Sequence, residues 1–535
     1  MILHTLFLAA FTPFFYALFR CVCLLHRELT SPLRHVSGPR SPSLLFGNFK
    51  DVMADFDLPS KWRAQFGRTF RFRGLFSVSE LHTSDLKALH HVLNDSIVYR
   101  KAPFQRESVR RLLGDGVSAA SSLINQRQRM WQLQNPAFGP ARIRLLTPIF
   151  LEKALKLRDI WAASLVSDSE SKRNIDVMDG VRRMTLDVIG EAGFHYQFNA
   201  LEHKSNELAE TFTQLMHSPN AQKYQAVRIA QGMVPILRFL PLPGSHIVAR
   251  ARIVMDSIGG QIVADSKASL LETETGTAHR DLISVLLNAN LRKDVPQSQR
   301  MKDSEVVAQI PAIFLAGHET SSSAIAWALH ELTVHPEMQI KLRDEVLKVS
   351  SETPTMDEVN SLHYLECFVR ETMRLHAPAV FTTRMAMKDD LLPLSSPYTD
   401  RRGNAHESLR IPAGQIIHIP ILAVNTDKET WGDDALEFRP ERWDDLPEAV
   451  SALPGVWANL LTFYAGAHTC IGFRFAIVEV KVLLFTLLRA FEFAPAVPTG
   501  GVVPKLAGVL QRPSLLLPDK KGAALPMVVR PYDRN

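Results

Sequence analysis

The stretch Phe463-Tyr464-Ala465-Gly466-Ala467-His468-Thr469-Cys470-Ile471-Gly472 runs straight into an apolar segment, Phe473 to Phe491. An irregular, glycine-bearing loop gives way here to an apolar helix, and one cysteine is fixed at the join. A thiol at a helix N-terminus meets backbone N–H groups that lack intrahelical acceptors, together with the positive end of the helix dipole. Both favour thiolate over thiol. Gly466 and Gly472 can take dihedrals that a side chain forbids, or let the backbone approach something large and flat. His468, two residues before the sulfur, can offer a donor to an anionic group.

Together these are the parts needed to hold a haem iron through an axial sulfur. The plainer alternative is a buried cysteine that packs as a small hydrophobe. The segment resembles the haem-binding loop of the cytochrome P450 superfamily, Phe-x-x-Gly-x-Arg-x-Cys-x-Gly. It matches at every fixed position except the arginine, which is His468 here. The resemblance implies a heme b cofactor with Cys470 as its axial ligand, contacted by Phe463, Gly466, His468 and Gly472.

A chain of 535 residues can bury a large core. No Gly/Ser-rich or Pro-rich linker divides it after residue 50, which points to one large domain behind a short N-terminal appendage. The net charge of +6 is small for this length, and there is no long Lys/Arg run, so nothing supports nucleic-acid binding. Four cysteines (Cys21, Cys23, Cys367 and Cys470) do not make a disulfide framework and suit a reducing compartment.

Ile2 to Phe19 is uncharged and apolar. Arg20 interrupts the pattern, and Cys21 to Leu25 resumes it, long enough to cross a bilayer if Arg20 snorkels. The start is not basic and no small-x-small cleavage site follows, which argues against a cleaved signal peptide. Arg20, Arg27, Arg34 and Arg40 place the body of the protein in the cytoplasm by the positive-inside rule. We therefore read residues 1–25 as a single anchor and 26–48 as a stiff proline-rich hinge, which resembles that of microsomal P450s in the endoplasmic reticulum. Residues 49–535 form the catalytic domain.

Thr69 to His82 reads as short strands around Phe70, Phe72 and Leu75-Phe76. Helical periodicity then predicts helices near 141–166, 175–194, 202–218, 246–271 and 279–291. Gly114-Asp115-Gly116 mimics a dinucleotide fingerprint but lacks the preceding strand. Arg127 and Arg129 resemble the family's haem-propionate helix, with Arg129 the favoured residue. The Trp or His that the family places before that arginine is missing, and Trp131 follows both. Met233 to Pro243 is apolar and proline-broken, similar to the family's membrane-dipping lid loop.

Glu305 to His335 reads as one long helix with Ala316-Gly317-His318-Glu319-Thr320-Ser321 at its centre. Gly317 costs a helix about 1 kcal/mol relative to alanine, so it needs a reason, and close approach of a cofactor is one. The Thr320 hydroxyl can bond the Ala316 carbonyl and open a groove for oxygen and water. Glu319 can relay protons. These residues match the family's oxygen-activation segment. His330 and His335 are five apart and diverge around the helix, unlike the four-apart pair of a zinc-protease helix.

Glu371 and Arg374 lie three apart on one helix, close enough to pair. The resemblance supplies Arg442, in Phe438-Arg439-Pro440-Glu441-Arg442-Trp443, as a third member of a structural cluster behind the haem. It also makes Arg384 a propionate partner and Ala379, Val380 and Phe381 pocket wall, with Gly508 to Arg512 a second wall.

The expected fold is mainly α with small β-sheets. The expected activity is haem-thiolate monooxygenation of a lipophilic small molecule. No flavin module or dinucleotide motif is present, so electrons must come from outside the chain, and the resemblance implies an NADPH-cytochrome P450 reductase or a cytochrome b-type donor as the partner. A haem-thiolate isomerase or dehydratase needing no reductase is the alternative, and a non-catalytic haem sensor is a third class.

Overall fold

The computed structural model describes residues 15, 18–19, 22–55, 57–114, 135–166, 174–217, 224–234, 237, 243–272, 281–291, 300–498, 500–516 and 524–533. Most of the anchor expected at 1–25, both Arg127 and Arg129, and most of the 233–243 loop lie outside these residues. Among the described residues, no helix is long and apolar enough to cross a membrane.

Seven helices position the site: α1 (Leu58–Phe66), α2 (Leu86–Asn94), α3 (Pro140–Leu165), α4 (Val177–Phe194), α5 (Gln309–Val334), α6 (His363–Leu375) and α7 (Phe473–Leu488). Helical periodicity located α3 and α4 to within two residues, and further helices at Glu207–His217, Ser245–Glu272 and Leu282–Leu291 correspond to the other three expected. The long central helix starts later than its sequence suggests. A short helix, Asp303–Val307, precedes it, and Ala308 forms the joint between the two.

Helix α7 is apolar almost all round because it runs through the interior: from Ile477 to Leu488 every residue is buried. It packs on α3, where Phe150 meets Phe475 edge-on at 4.7 Å, and on α5. Helix α4 closes the other side of α5, with Phe194 and Phe314 4.4 Å apart.

A five-stranded sheet flanks this core, built from β1 (Thr69–Arg73), β2 (Ser79–Thr83), β3 (Tyr99–Arg100), β4 (Thr382–Ala386) and β5 (Ile416–Ile419) in the order β1-β2-β5-β4-β3. Leu75 and Phe76, expected in a strand, instead form the turn between β1 and β2, where Phe76 takes φ of 58°. A hairpin of β6 (Val502–Ala507) and β7 (Leu510–Leu515) lies against α5. The proline-rich segment 31–47 is tied to β1, with the Arg71 N–H donating to the Ser37 carbonyl at 2.9 Å.

Candidate active site

The loop before α7 is closed by its own backbone: the Cys470 N–H donates to the Phe463 carbonyl at 2.9 Å. Gly466 has φ of 62°, and a Cβ there would stand 2.4 Å from the Leu93 carbonyl oxygen. This glycine is therefore required by the approach of α2 and by its own backbone, with no need to invoke a cofactor. Gly472 differs. A Cβ there would meet one Phe138 ring atom at an ordinary 3.8 Å, so the protein's own packing does not demand a glycine. Phe463 is buried, with its ring 5.6 Å from that of Trp457, and His468 ends a short 3-10 turn.

Cys470 is exposed, whereas Cys367 is buried. The surrounding protein nevertheless removes enough water to raise the Cys470 thiol pKa, and the Gly472 N–H opposes this only in part. Burial thus works against the thiolate that the helix start favours. Binding a metal ion would secure it, because the metal replaces the proton.

On α5 the Thr320 hydroxyl donates to the Ala316 carbonyl at 2.5 Å. Ala316 is exposed in a helix whose neighbouring turns are largely buried. Gly317 answers to a different cause than the one expected: a Cβ there would lie 2.9 Å from Ile189 Cγ1 on α4. The bare Cα lets two helices approach, so the cofactor is not needed to explain it.

Glu319 sits in a buried charge cluster that sequence reasoning missed. Its carboxylate lies 2.5 Å from Arg512 Nη2 on β7, 3.5 Å from Arg182 on α4 and 3.3 Å from His318 Nε2. Burial alone would raise its pKa, but the hydrogen bond from His318 and the Arg512 and Arg182 charges hold the carboxyl well below the usual range. Arg512, in the Gly508 to Arg512 stretch, is a counter-charge of the central helix. Beside it the Ser323 hydroxyl donates to the Gln511 carbonyl at 2.6 Å.

Arg384 on β4 is 2% exposed and donates through Nη1 to Thr382 Oγ1 and to the Thr383 carbonyl, while its Nε has no hydrogen-bond acceptor. The Tyr464 ring lies 5.6 Å from its guanidinium, held there by a backbone φ of 64°. Val380 and Phe381 line a cleft of about 170 Å³ with Trp62, Phe72, His418 and Leu422.

Behind the loop, Glu371, Arg374 and Arg442 meet with no side chain more than 1% exposed. Arg374 grips Glu371 at two points, 2.8 and 2.9 Å, and Arg442 Nε reaches the same carboxylate at 3.1 Å. The Arg439 N–H and Trp443 Nε1 also donate to it, contacts that no spacing in the sequence reveals.

A sequence model of the cytochrome P450 family matches residues 37–522. The chain belongs to the cytochrome P450 family. It is 42% identical to cytochrome P450 monooxygenase 205 of Postia placenta, over 96% of each chain. It is 43% identical to monooxygenase 128 of the same fungus, over 94% of each. A ganoderic acid synthetase of Ganoderma lucidum is 32% identical over 88% of this chain and 89% of its own. This P450 is accordingly a monooxygenase with the mainly helical fold and small sheets of its family.

The family implies a haem, and the residues present fit one. Cys470 is an exposed residue with a ligating sulfur, Gly472 leaves room for a Cβ that the protein's own packing does not use, and Arg384 keeps a buried nitrogen unsatisfied in the way a carboxylate-bearing ligand would relieve.

Proposed function

We propose that this P450 binds heme b through Cys470 and inserts one oxygen atom of O2 into a lipophilic small molecule. The second atom leaves as water, formed with two protons and two electrons from an NADPH-cytochrome P450 reductase or a cytochrome b-type donor. Cys470, an exposed residue in the loop that runs into α7, with its N–H closed on the Phe463 carbonyl, carries the reading. A thiolate-ligated haem supplies oxygen activation by pushing electron density toward O–O cleavage.

The protein's share is to hold that sulfur, anchor the cofactor's acidic edge and handle protons. Arg384 is the propionate donor, with His468 a second cation on the cysteine loop. Arg129 remains a candidate from sequence. Thr320, folded back on Ala316, leaves a polar notch in α5 where a proton can be passed. Glu319 is the solvent-side relay, but its carboxylate is ionised and committed to Arg512 and Arg182. It accepts a proton and turns toward Thr320 when that ion pair opens. The Glu371, Arg374 and Arg442 cluster is structural. An N-terminal span in the endoplasmic reticulum membrane, with the catalytic body in the cytoplasm, completes the proposal and rests on the apolar run and the arginines that follow it.

The test is the carbon monoxide spectrum of the reduced, haem-loaded protein together with NADPH-driven turnover in the presence of reductase. Wild type shows the thiolate-type band and consumes oxygen in step with hydroxylated product. Cys470→Ala loses the band, and Thr320→Ala keeps it but diverts electrons to peroxide. Turnover without reductase would move the assignment to the isomerase or dehydratase class, and an unchanged band in Cys470→Ala would remove the ligand.

A further inference from the structure

Away from the cysteine loop, a second set of metal-binding side chains converges where α6 begins. His363 and Cys367 lie one helical turn apart, so their side chains share a face. Asp444 closes the 3-10 turn Pro440–Asp444, which packs against the same helix. His363 Nε2 lies 2.7 Å from Asp444 Oδ1 and 3.7 Å from Cys367 Sγ, and the three donor atoms fall within 4.8 Å of one another. Among the described residues this is the group of histidine, cysteine and acidic side chains close enough to share one ion.

We infer that His363, Cys367 and Asp444 form a binding site for a zinc-type divalent cation, with a water molecule as fourth ligand. Zinc bonds of about 2.3 Å to sulfur and about 2.0–2.1 Å to nitrogen and oxygen, at tetrahedral angles, separate nitrogen from sulfur by about 3.5 Å and nitrogen from oxygen by about 3.3 Å. The sulfur–nitrogen distance is already right. The nitrogen–oxygen distance must open by about half an ångström, a change that such exposed side chains accommodate by small rotations. The His363 and Asp444 side chains are 71% and 55% exposed, which admits the ion and leaves room for the water. Cys367 is 2% exposed, so its sulfur is held in place by the surrounding core.

The donor set decides the ion. A thiolate and a carboxylate together neutralise a divalent charge. Sulfur with imidazole selects zinc over magnesium or calcium, which take oxygen ligands. Without a metal, the exposed histidine–aspartate pair contributes at most about 1 kcal/mol.

The position gives the ion a consequence. Cys367 stands one turn before Glu371, and Asp444 follows Arg442 and Trp443 in the turn that grips Glu371. A bound cation would brace the same two segments that the buried ion pairs join, from the solvent side. It is separate from the haem ligand, and its test does not depend on turnover.

The experiment uses the full-length, haem-loaded protein carrying Cys21→Ser and Cys23→Ser, so that Cys367 is its one thiol not bound to haem. Equilibrium dialysis against zinc should give one bound equivalent at micromolar concentration. Cadmium should produce a sulfur-to-metal charge-transfer band in the ultraviolet difference spectrum. Cys367→Ser should abolish the band, and Asp444→Asn, which alters an exposed side chain and spares the core, should weaken zinc binding at least tenfold. Zinc should raise the unfolding midpoint of the parent more than that of either variant. Absence of bound zinc, or equal binding in the parent and Cys367→Ser, would overturn the site.

Discussion

Glu319 and Arg512 meet at 2.5 Å with side chains only 1% and 5% exposed, joining the centre of the core helix α5 to a hairpin near the C-terminus. Breaking a buried pair by removing one partner strands a charge and costs about 3–5 kcal/mol. Arg182, 3.5 Å away, softens that loss. Arg512→Leu should therefore destabilise the haem-loaded protein by about 3 kcal/mol, read from denaturant unfolding, and adding Glu319→Gln should recover part of it. A loss below about 1 kcal/mol would mean that water screens the pair as it does on a surface.

The same carboxylate sets a pH dependence. Its folded pKa is depressed below the ordinary value of 4.5, chiefly because the neighbouring positive charges outweigh its burial. A depressed carboxylate contributes stability that is complete above the unfolded pKa and is lost as pH falls toward the folded one. Unfolding free energy should thus decline below pH 4.5, and the decline should be shallower in Glu319→Gln. Parallel acid profiles for the two proteins would remove Glu319 as a contributor.

Gly317 offers a sharper test of packing. Alanine gains about 1 kcal/mol of helix propensity, but overpacking against Ile189 costs about 1–3 kcal/mol. Gly317→Ala should be neutral to destabilising by about 2 kcal/mol in the wild-type background. In an Ile189→Ala background, where the crowding atoms are gone, it should become stabilising relative to Ile189→Ala. The sign change in the double-mutant cycle is the measurement, and identical effects in both backgrounds would argue that the glycine serves something other than α4.

Glu371 accepts from two guanidinium groups, one backbone N–H and one indole. Glu371→Gln removes the charge that both arginines face and should cost about 3–5 kcal/mol, enough to lose the thiolate-type carbon monoxide band during expression. Arg374→Lys should not rescue the fold, because one ammonium cannot reproduce the two-point grip. A haem-replete, fully folded Glu371→Gln protein would show the cluster to be dispensable.

What could be read from sequence was local. The Thr320–Ala316 bond, the Glu371–Arg374 pair and the cysteine at a helix start all lie within one turn or one loop, where spacing fixes geometry. What spacing does not reveal are contacts between distant segments. Gly317 also makes room for Ile189, which lies on another helix and is invisible to spacing. Arg182 and Arg512 reach Glu319 from elements far away in the chain, so no spacing announces its counter-charges. Leu75 and Phe76 alternate like a strand, yet Phe76 has the left-handed backbone of a turn. Tyr464 carried no signal, since its closeness to Arg384 depends on a positive φ that no pattern announces.

The Arg374 guanidinium also donates to the backbone carbonyls of Asn425, Ala435 and Glu437. During synthesis this arginine leaves the ribosome well before the residues it will hold. Its helix can form at once, but the charge must wait, hydrated, until roughly fifty to sixty more residues have emerged. The wall behind the cysteine loop is therefore a late assembly step, governed by the closure of a long loop rather than by local propensity. Until those carbonyls arrive, the interior behind the cysteine loop holds a guanidinium with only Glu371 to meet it.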